Sequence, residues 1–248
     1  MIACRSKDEL EILRKSNVIA AQTLEETRRY VKPGVTTLEL EMIARDFVYK
    51  KGAELAFKDY CGFPGYICTS VNEEVVHGIP GKRILKEGDI LSIDVGIKWK
   101  NYYGDTAITI VVGRIEPDIA KLLRVTKEAL FRAIAKAHPG NRLSDISFAV
   151  QSYVEANGFG VVRDLVGHGI GLNLHEEPQV PNFGPPNKGP ELLPGMVLAI
   201  EPMVNEGSYK VEIMPDGWTV VTRDRKLSAH FEHTVAITEH GPWILSKI

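Results

Sequence analysis

Four acidic residues stand where acids are costly. Asp94 closes the apolar run Ile90-Leu91-Ser92-Ile93, and Asp105 opens Thr106-Ala107-Ile108-Thr109-Ile110. Glu201 ends Met196-Val197-Leu198-Ala199-Ile200, and Glu232 lies in the alternating segment Ala229-His230-Phe231-Glu232-His233-Thr234-Val235. One such acid reads as an edge or surface residue; four in matching places do not. Like charges inside paired strands are destabilising unless something positive lies between them. Hard divalent cations with oxygen ligands are the natural neutraliser, and four shared carboxylates suit two ions. If the chain turns between Trp99 and Lys100, Asp94 and Asp105 sit directly opposite each other on one face of a hairpin.

Histidine distinguishes a storage site from a catalytic one. His168 lies in Leu165-Val166-Gly167-His168-Gly169-Ile170-Gly171. A lone histidine is by default a satisfied core group, but glycines on both sides let another group approach its ring closely. As a fifth ligand its imidazole would draw the site away from calcium, towards Mn, Fe, Co, Ni or Zn. His77, in Val75-Val76-His77-Gly78-Ile79-Pro80, and His175, in Leu174-His175-Glu176-Glu177-Pro178, lie in loops after apolar runs. They read either as surface histidines or as groups that contact substrate or donate protons beside a metal centre. His138 and His240 sit in turn contexts and read as surface residues.

The elements that must position these groups repeat once. Lys32-Pro33-Gly34 precedes a helical pattern ending at Gly52, and His138-Pro139-Gly140 precedes another ending at Gly158. Leu40, Ile43, Phe47 and Val48 recur at helical spacing in the first, and Ile146, Ala149, Tyr153 and Val154 in the second. The stretch from Leu85 to Asp94 is echoed by that from Leu192 to Glu201, each an apolar run ending in a carboxylate. Helices are expected over 7–31, 37–51, 116–138 and 144–157, the second and fourth capped by Thr37 and Ser144. Strands are expected near 65–71, 89–97, 102–112, 161–166, 196–204, 209–214, 218–223 and 229–238, with a hairpin at Asp216-Gly217. Residues 181–195, rich in Pro and Gly, read as an ordered loop near a rim. The expected fold class is α+β: one domain over 1–248 with antiparallel sheets, made of two similar halves, 1–115 and 116–248, about a pseudo-twofold axis.

Composition narrows the classes. With 248 residues, 44% hydrophobic and 25% charged, the chain is an ordinary globular one. A net charge of −2 implies no basic face, which argues against nucleic acid as a partner or substrate. Three cysteines cannot build a disulfide framework and fit a reducing compartment. No apolar run approaches the ~20 residues that span a bilayer, and residues 1–11 lack a signal-peptide core. A soluble, cytoplasmic monomer without membrane partners is expected.

Taken together, Asn72-Glu73-Glu74-Val75-Val76-His77-Gly78-Ile79-Pro80, Ser92-Ile93-Asp94-Val95-Gly96, Tyr103-Gly104-Asp105-Thr106-Ala107, Gly167-His168-Gly169-Ile170-Gly171, Leu174-His175-Glu176-Glu177-Pro178, Ile200-Glu201-Pro202-Met203 and His230-Phe231-Glu232-His233-Thr234 resemble type I methionine aminopeptidases. The resemblance covers essentially the whole chain. It implies the pseudo-symmetric "pita-bread" fold and two divalent metals held by Asp94, Asp105, His168, Glu201 and Glu232. It implies hydrolytic removal of the initiator methionine from nascent polypeptides with a small second residue, in transient proximity to the ribosome. It also implies Glu201 as proton shuttle, His175 at the scissile carbonyl, and His77 at the substrate amide or leaving amine. Tyr60, Phe63, Cys68 and Trp218 would line the methionine pocket, for which the plain alternative is ordinary core packing. Cys61 departs from the histidine of many relatives, and Asn72 and Ser228 match positions that in some relatives help hold a monovalent cation. The chain lacks the ~60-residue insertion of the type II enzymes, since His175 and Glu201 are close in sequence, and the Cys/His-rich extension of many eukaryotic relatives. A minimal bacterial or organellar form is expected.

Two rival readings stand beside this one. A proline-directed peptidase of the same fold would usually carry a large additional N-terminal domain. A non-catalytic scaffold of the same fold would have lost ligands, and here all five are present.

Overall fold

The computed structural model describes residues 2–248. Its elements run in the order helix, helix, strands, twice over: α1 (Lys7–Arg28) and α2 (Thr37–Lys50) precede the first group of strands, α3 (Pro117–Ile134) and α4 (Leu143–Ala156) the second. Ile19, Leu24, Leu40, Ala44 and Val48, at helical spacing on α1 and α2, are buried in one cluster with Leu91, Ile93, Val95 and Ile97 of the strand Ile90–Trp99. Leu122, Ala129, Ile146 and Val150 of α3 and α4 do the same with Leu198, Ile200, Val235 and Ile237. Each helix pair thus covers its own sheet, which leaves the remaining strand faces for the site.

The helices start within one residue of expectation, but the caps of α2 and α4 lie one and two residues earlier than expected. In a capping box the hydroxyl residue three positions ahead of an acid is the cap. Thr36 therefore caps α2, with Glu39 N donating to Thr36 Oγ1 at 3.2 Å and Thr36 N to Glu39 Oε2 at 2.8 Å. Thr37 lies inside the helix, where its hydroxyl accepts from Gly81 N. Ser144 is likewise inside α4 and accepts from Lys188 N, while Asp145 accepts from Arg142 N ahead of the helix. Gly52 and Gly158 end the two helices at φ +67° and +86°, where a side chain would be strained.

The strand Ile90–Trp99 pairs along its length with Tyr102–Val111, and on its other edge with Cys68–Val71 and Glu54–Leu55. Lys100 and Asn101 both have positive φ, 49° and 66°, so the hairpin closes through a two-residue loop with Trp99 opposite Tyr102. That corrects the expected register. Asp94 faces Ala107, and Asp105 faces Gly96, two residues from direct opposition. Because side chains alternate with period two, the even offset leaves both acids on one face as diagonal neighbours.

A five-stranded antiparallel sheet runs in the order Gly241–Ile244, His233–Thr238, Val197–Ile200, Gly167–Gly169, Glu176–Val180. The continuous strands expected over 196–204 and 229–238 are both broken. Pro202 has no N–H for a ladder, so Val197–Ile200 and Met203–Asn205 enter different sheets. Ser228–His230 and His233–Thr238 are separated by Phe231 and Glu232, and Glu232 N donates instead to Ala107 O at 2.9 Å. Glu201 and Glu232 therefore stand in strand breaks rather than inside strands. The strand expected over 161–166 is only Gly160–Val161, and that over 65–71 begins at Cys68. The hairpin at Asp216-Gly217 joins Val211–Ile213 to Val220–Thr222, with Asp216 Oδ1 accepting from Trp218 N and Thr219 N. Residues 181–195 fold back on the start of α4, through Asn187 N to Asp145 Oδ1 at 2.7 Å and Leu143 N to Pro190 O at 3.0 Å.

The strand Tyr102–Val111 is stitched directly to the segment 230–234. Thr106 Oγ1 donates to Glu232 O, Thr234 Oγ1 to Asp105 O, and Thr109 Oγ1 to His230 O, at 2.7–2.8 Å. The hydroxyls of Thr106 and Thr109 thereby satisfy carbonyls of the broken segment, and that of Thr234 returns to the strand at Asp105 O.

Candidate active site

Asp94 and Asp105 enter the site from adjacent strands of one sheet, His168 from the middle of the strand Gly167–Gly169 of the other, and Glu201 and Glu232 from beside the ends of its strands. Gly104 lets α1 approach beside Asp105: a Cβ there would lie 2.6 Å from Asn17 N. Asn17, fully buried, accepts from Asp105 N at 3.2 Å and donates to Leu13 O at 2.9 Å, fixing that strand against the helix. The glycines around His168 act differently from expectation. A Cβ on Gly167 would strike Ala199 O, and one on Gly169 would strike Glu177 O. They admit neighbouring backbone, and so seat the histidine's strand, rather than clearing space over its ring.

The five groups converge. His168 Nε2 lies 3.8 Å from Asp105 Oδ2 and 3.6 Å from Glu201 Oε1. Ligand atoms of Asp105, His168 and Glu232 all lie within 4.8 Å of one another. His168 Nδ1 is 2.9 Å from Gly169 O, a contact that places the ring proton on Nδ1 and leaves the Nε2 lone pair facing the carboxylates. Burial, and then His175 beside it, hold its pKa down at about 3, so the ring is neutral.

Burial raises every carboxylate of the cluster. Asp94 is pushed up to about 6 and Glu201 to about 8, while Asp105 and Glu232 rise well above the usual range, reinforced by their neighbouring acids. Asp94 Oδ1, Asp105 Oδ1 and Glu232 Oε1 are buried with no hydrogen-bond partner among the described residues. Among the described residues no lysine or arginine lines the cavity. Buried anions without partners are strongly unfavourable, and oxygens plus one neutral imidazole form a donor set that fits divalent metal ions.

This gives the protein without metal a definite pH dependence. Above about pH 7.5 the unfolded histidines are largely neutral, as are the buried His77, His168 and His233, with pKa values of about 4, 3 and 4. Their contribution, which rises with pH at lower values, is then complete. The unfolded carboxylates are fully ionised there, whereas Glu201 in the fold keeps its proton until about pH 8. The folded state holds more protons, so stability falls as pH rises. Thermal melts in excess chelator are expected to show Tm dropping between about pH 7.5 and 9, and saturating divalent metal is expected to abolish the drop. A chelated protein with constant or rising Tm over that window would contradict the cluster's electrostatics.

Above the cluster lies a cavity of about 630 Å³. The structure brings Tyr60, Phe63, Cys68, His77, His175 and Trp218 together on its wall, and Cys61 with them. Phe63 and Trp218 pack edge to face with centroids 5.3 Å apart. Cys68 is buried, its thiol pushed well up by burial and then by Asp94. Cys61 is exposed, held at φ 50° in the short turn Tyr60–Gly62. The imidazole of His175 stands at 81° to that of His168 with centroids 4.3 Å apart, and its Nδ1 lies 3.0 Å from the Tyr60 hydroxyl. Burial lowers the pKa of His175 and brings that of His77 to about 4. No residue of 181–195 lines the cavity, so the expected Pro/Gly-rich rim is not part of it.

Sequence reasoning passed over Phe57, Leu174 and Met203, which complete the apolar wall, and His230. Gly96 carried the signal for Phe57. It lies two residues beyond Asp94 on the same face, and a Cβ there would strike the Phe57 ring. His230 is buried, with Nε2 3.5 Å from Glu201 Oε2. Its place two residues before Glu232, on the same side of an alternating segment, was the available signal.

The model of metallopeptidase family M24 matches residues 11–239. The chain is 57% identical to methionine aminopeptidase 1 of Bacillus subtilis (strain 168) over 248 residues, all of both chains. It superposes on the crystal structure of methionine aminopeptidase from Thermotoga maritima with a TM-score of 0.98 and 47% identity, covering 100% of each chain. The fold is thus the pita-bread fold of these structures. A prolidase from Pyrococcus furiosus, at 24% identity, a TM-score of 0.80 and coverage of 99% of this chain and 65% of that one, shares the fold alone. No helix among the described residues is long and apolar enough to cross a membrane.

Proposed function

Since the chain belongs to metallopeptidase family M24 and, within it, to the methionine aminopeptidases, we propose that it removes the initiator methionine from nascent proteins and peptides with a small second residue. The observation that carries this reading is the opening of a sulfur- and aromatic-lined slot directly onto the buried cluster of four carboxylates and one neutral imidazole. Asp94, Asp105, His168, Glu201 and Glu232 would hold two divalent ions, of Co, Mn, Fe, Zn or Ni. When bound, the ions supply a water nucleophile at neutral pH and an anchor for the substrate's free amino group.

This chain's own residues do the rest. Phe63, Cys68 and Trp218, with Phe57, Leu174 and Met203, take up an unbranched thioether. Glu201, beside His168 and His230, takes and returns the proton. With the Tyr60 hydroxyl as donor across its 3.0 Å contact to Nδ1, His175 would carry its proton on Nε2 and donate it to the carbonyl oxygen as charge develops there. His77, neutral at physiological pH and edge-on to Trp218 at 6.5 Å, hydrogen-bonds the substrate amide or the leaving amine. A monovalent cation near Asn72 and Ser228, where Ser228 N donates to Asn72 O at 2.9 Å, belongs to the same reading. So do a single catalytic domain over 1–248 with halves 1–115 and 116–248, a cytoplasmic monomer, and brief proximity to the ribosome as chains emerge. The presence of all five ligands speaks against a scaffold, and only distant fold likeness speaks for proline-directed cleavage.

The test is kcat/KM over two peptide panels, X-Ala-Ser and Met-X-Ser. Methionine is expected to lead at the first position, with norleucine within about 1–3 kcal/mol of it, since an apolar slot discriminates close analogues only weakly. Ile and Val are expected to fare much worse, because branching at Cβ blocks a narrow slot. Small second residues should be accepted and Leu, Lys or Glu refused. Efficient release of first-position Ala, Lys or Glu, or indifference to the second residue, would identify a broad aminopeptidase instead. Preference for Ala-Pro peptides would favour the proline-directed alternative.

A further inference from the structure

The N-terminal strap ahead of α1 reaches the loop that carries His175. Arg5 forms an ion pair with Glu176, 171 residues away in sequence, and both side chains are largely buried, at 9% and 14% exposure. The other end of the guanidinium lies 3.7 Å from Glu9 Oε1, which also accepts from the Tyr102 hydroxyl at 2.9 Å. Arg5 is therefore a bridge between two fixed carboxylates, a task suited to its planar fork.

Two glycines from separate segments make room for it. A Cβ on Gly171 would collide with the Arg5 guanidinium, and one on Gly195 would lie 2.8 Å from Arg5 O. Arg5 N in turn donates to Gly195 O at 2.7 Å. A surface arginine needs no such accommodation.

Glu176 divides its two oxygens. Oε2 takes Arg5, and Oε1 accepts from Leu172 N at 2.8 Å and Asn173 N at 3.0 Å. That closes the loop 171–176 upon itself. Tyr103 N holds its other end at Gly171 O, at 2.8 Å. His175 is the residue immediately before Glu176, so the ion pair that fixes Glu176 also fixes the backbone from which His175 projects into the cavity.

We propose that Arg5 is a positioning residue for His175, acting through Glu176, and that the strap of residues 2–6 is thereby a working part of the active site. The proposal rests on the assignment of His175 to the scissile carbonyl. Misplacement of a positioned donor by about 1 Å can cost up to ~100-fold in rate, so displacement of this loop is felt in kcat rather than in metal binding.

The experiment is a double-mutant cycle on metal-loaded enzyme, with amide exchange as a second readout. Arg5→Ala is expected to lower kcat on Met-Ala-Ser about tenfold at unchanged metal content, and to speed exchange at the Leu172 and Asn173 amides about tenfold. Arg5→Lys, which keeps the charge and loses the fork, should recover part of both. Glu176→Gln retains an acceptor for the two amides but loses the ion pair, and should reproduce the fall in kcat. In a His175→Ala background, Arg5→Ala should cost nothing further in kcat, because the two act as one unit. Unchanged kcat and exchange in Arg5→Ala, or an equal fall in kcat in both backgrounds, would overturn the proposal. Should the wild type release no methionine while Arg5→Ala still frees the two amides, the strap's hold on the loop stands and the methionine reading fails.

Discussion

Asp105→Asn is expected to yield a folded protein that neither holds metal nor cleaves peptide, with activity below about a thousandth of wild type, the scale on which loss of a metal-activated nucleophile is felt. Asp105 is 4% exposed, its Oδ2 faces His168, and its Oδ1 has no partner among the described residues. An amide offers one neutral oxygen where the proposed metal centre would draw on two anionic ones. The fold should survive because the main chain at Asp105 is held by Asn17 Oδ1 and Thr234 through hydrogen bonds to its N and O, not to its carboxylate. Without metal the variant should be at least as stable as wild type. It removes one acid whose ionisation is opposed by burial and then by Asp94 and Glu201, and its NH₂ can donate to a neighbouring carboxylate. Metal analysis, peptide turnover and melts in chelator check all three points together. Two ions per chain with near-normal turnover would remove Asp105 from the site, and a loss of apo stability would contradict the account of like-charge strain.

The residues that met in this site were legible for a chemical reason. Acids closing apolar runs are conspicuous because burial without a partner is so unfavourable, and that signal persists whatever the local backbone does. The even offset of Asp94 and Asp105 shows why face survived while register did not. Alternation fixes which side a residue points to, but the register depends on φ at Lys100 and Asn101, and a lysine in the left-handed region is not announced by its type. The breaks at Glu201 and Glu232 were hidden for another reason. Each segment is apolar or alternating throughout, so nothing local marks the point where the chain leaves one sheet for another; Pro202 is the one clue, and the hydroxyls of Thr106 and Thr109 that repair the second break come from far away in sequence.

The glycines around His168 extend the same point. Their type correctly announced close approach, but not of what. Gly167 and Gly169 meet backbone from Val197–Ile200 and Glu176–Val180, and Gly171 meets the guanidinium of Arg5. A glycine reports that a Cβ is forbidden, and only the tertiary structure names the atom that forbids it. Long-range partners such as Arg5 and Glu176, or Asn17 and Asp105, have no periodicity linking them, so the support of the site was far less legible than its principal groups.

His175→Ala separates those two layers. It is expected to lower kcat by roughly 10²–10³-fold, the scale of removing one oxyanion donor, while metal content stays near wild type. His175 packs its ring against that of His168 at 4.3 Å, but its Nδ1 is taken by Tyr60 and it is not among the three groups whose ligand atoms cluster within 4.8 Å. KM should change little, because the thioether slot and the anchor for the free amine are left in place; a loss confined to kcat marks an interaction made as charge develops on the carbonyl oxygen. His168→Ala should differ in kind. It removes the one nitrogen facing the carboxylates, so metal affinity falls first and activity follows, partly restored at high metal concentration. The two variants can be compared by metal titration and by kcat at saturating metal. Equal loss of metal from both would place His175 among the ligands, and a His175→Ala enzyme with an intact kcat would assign the oxyanion to another donor of the same cavity, with His77 the next to test.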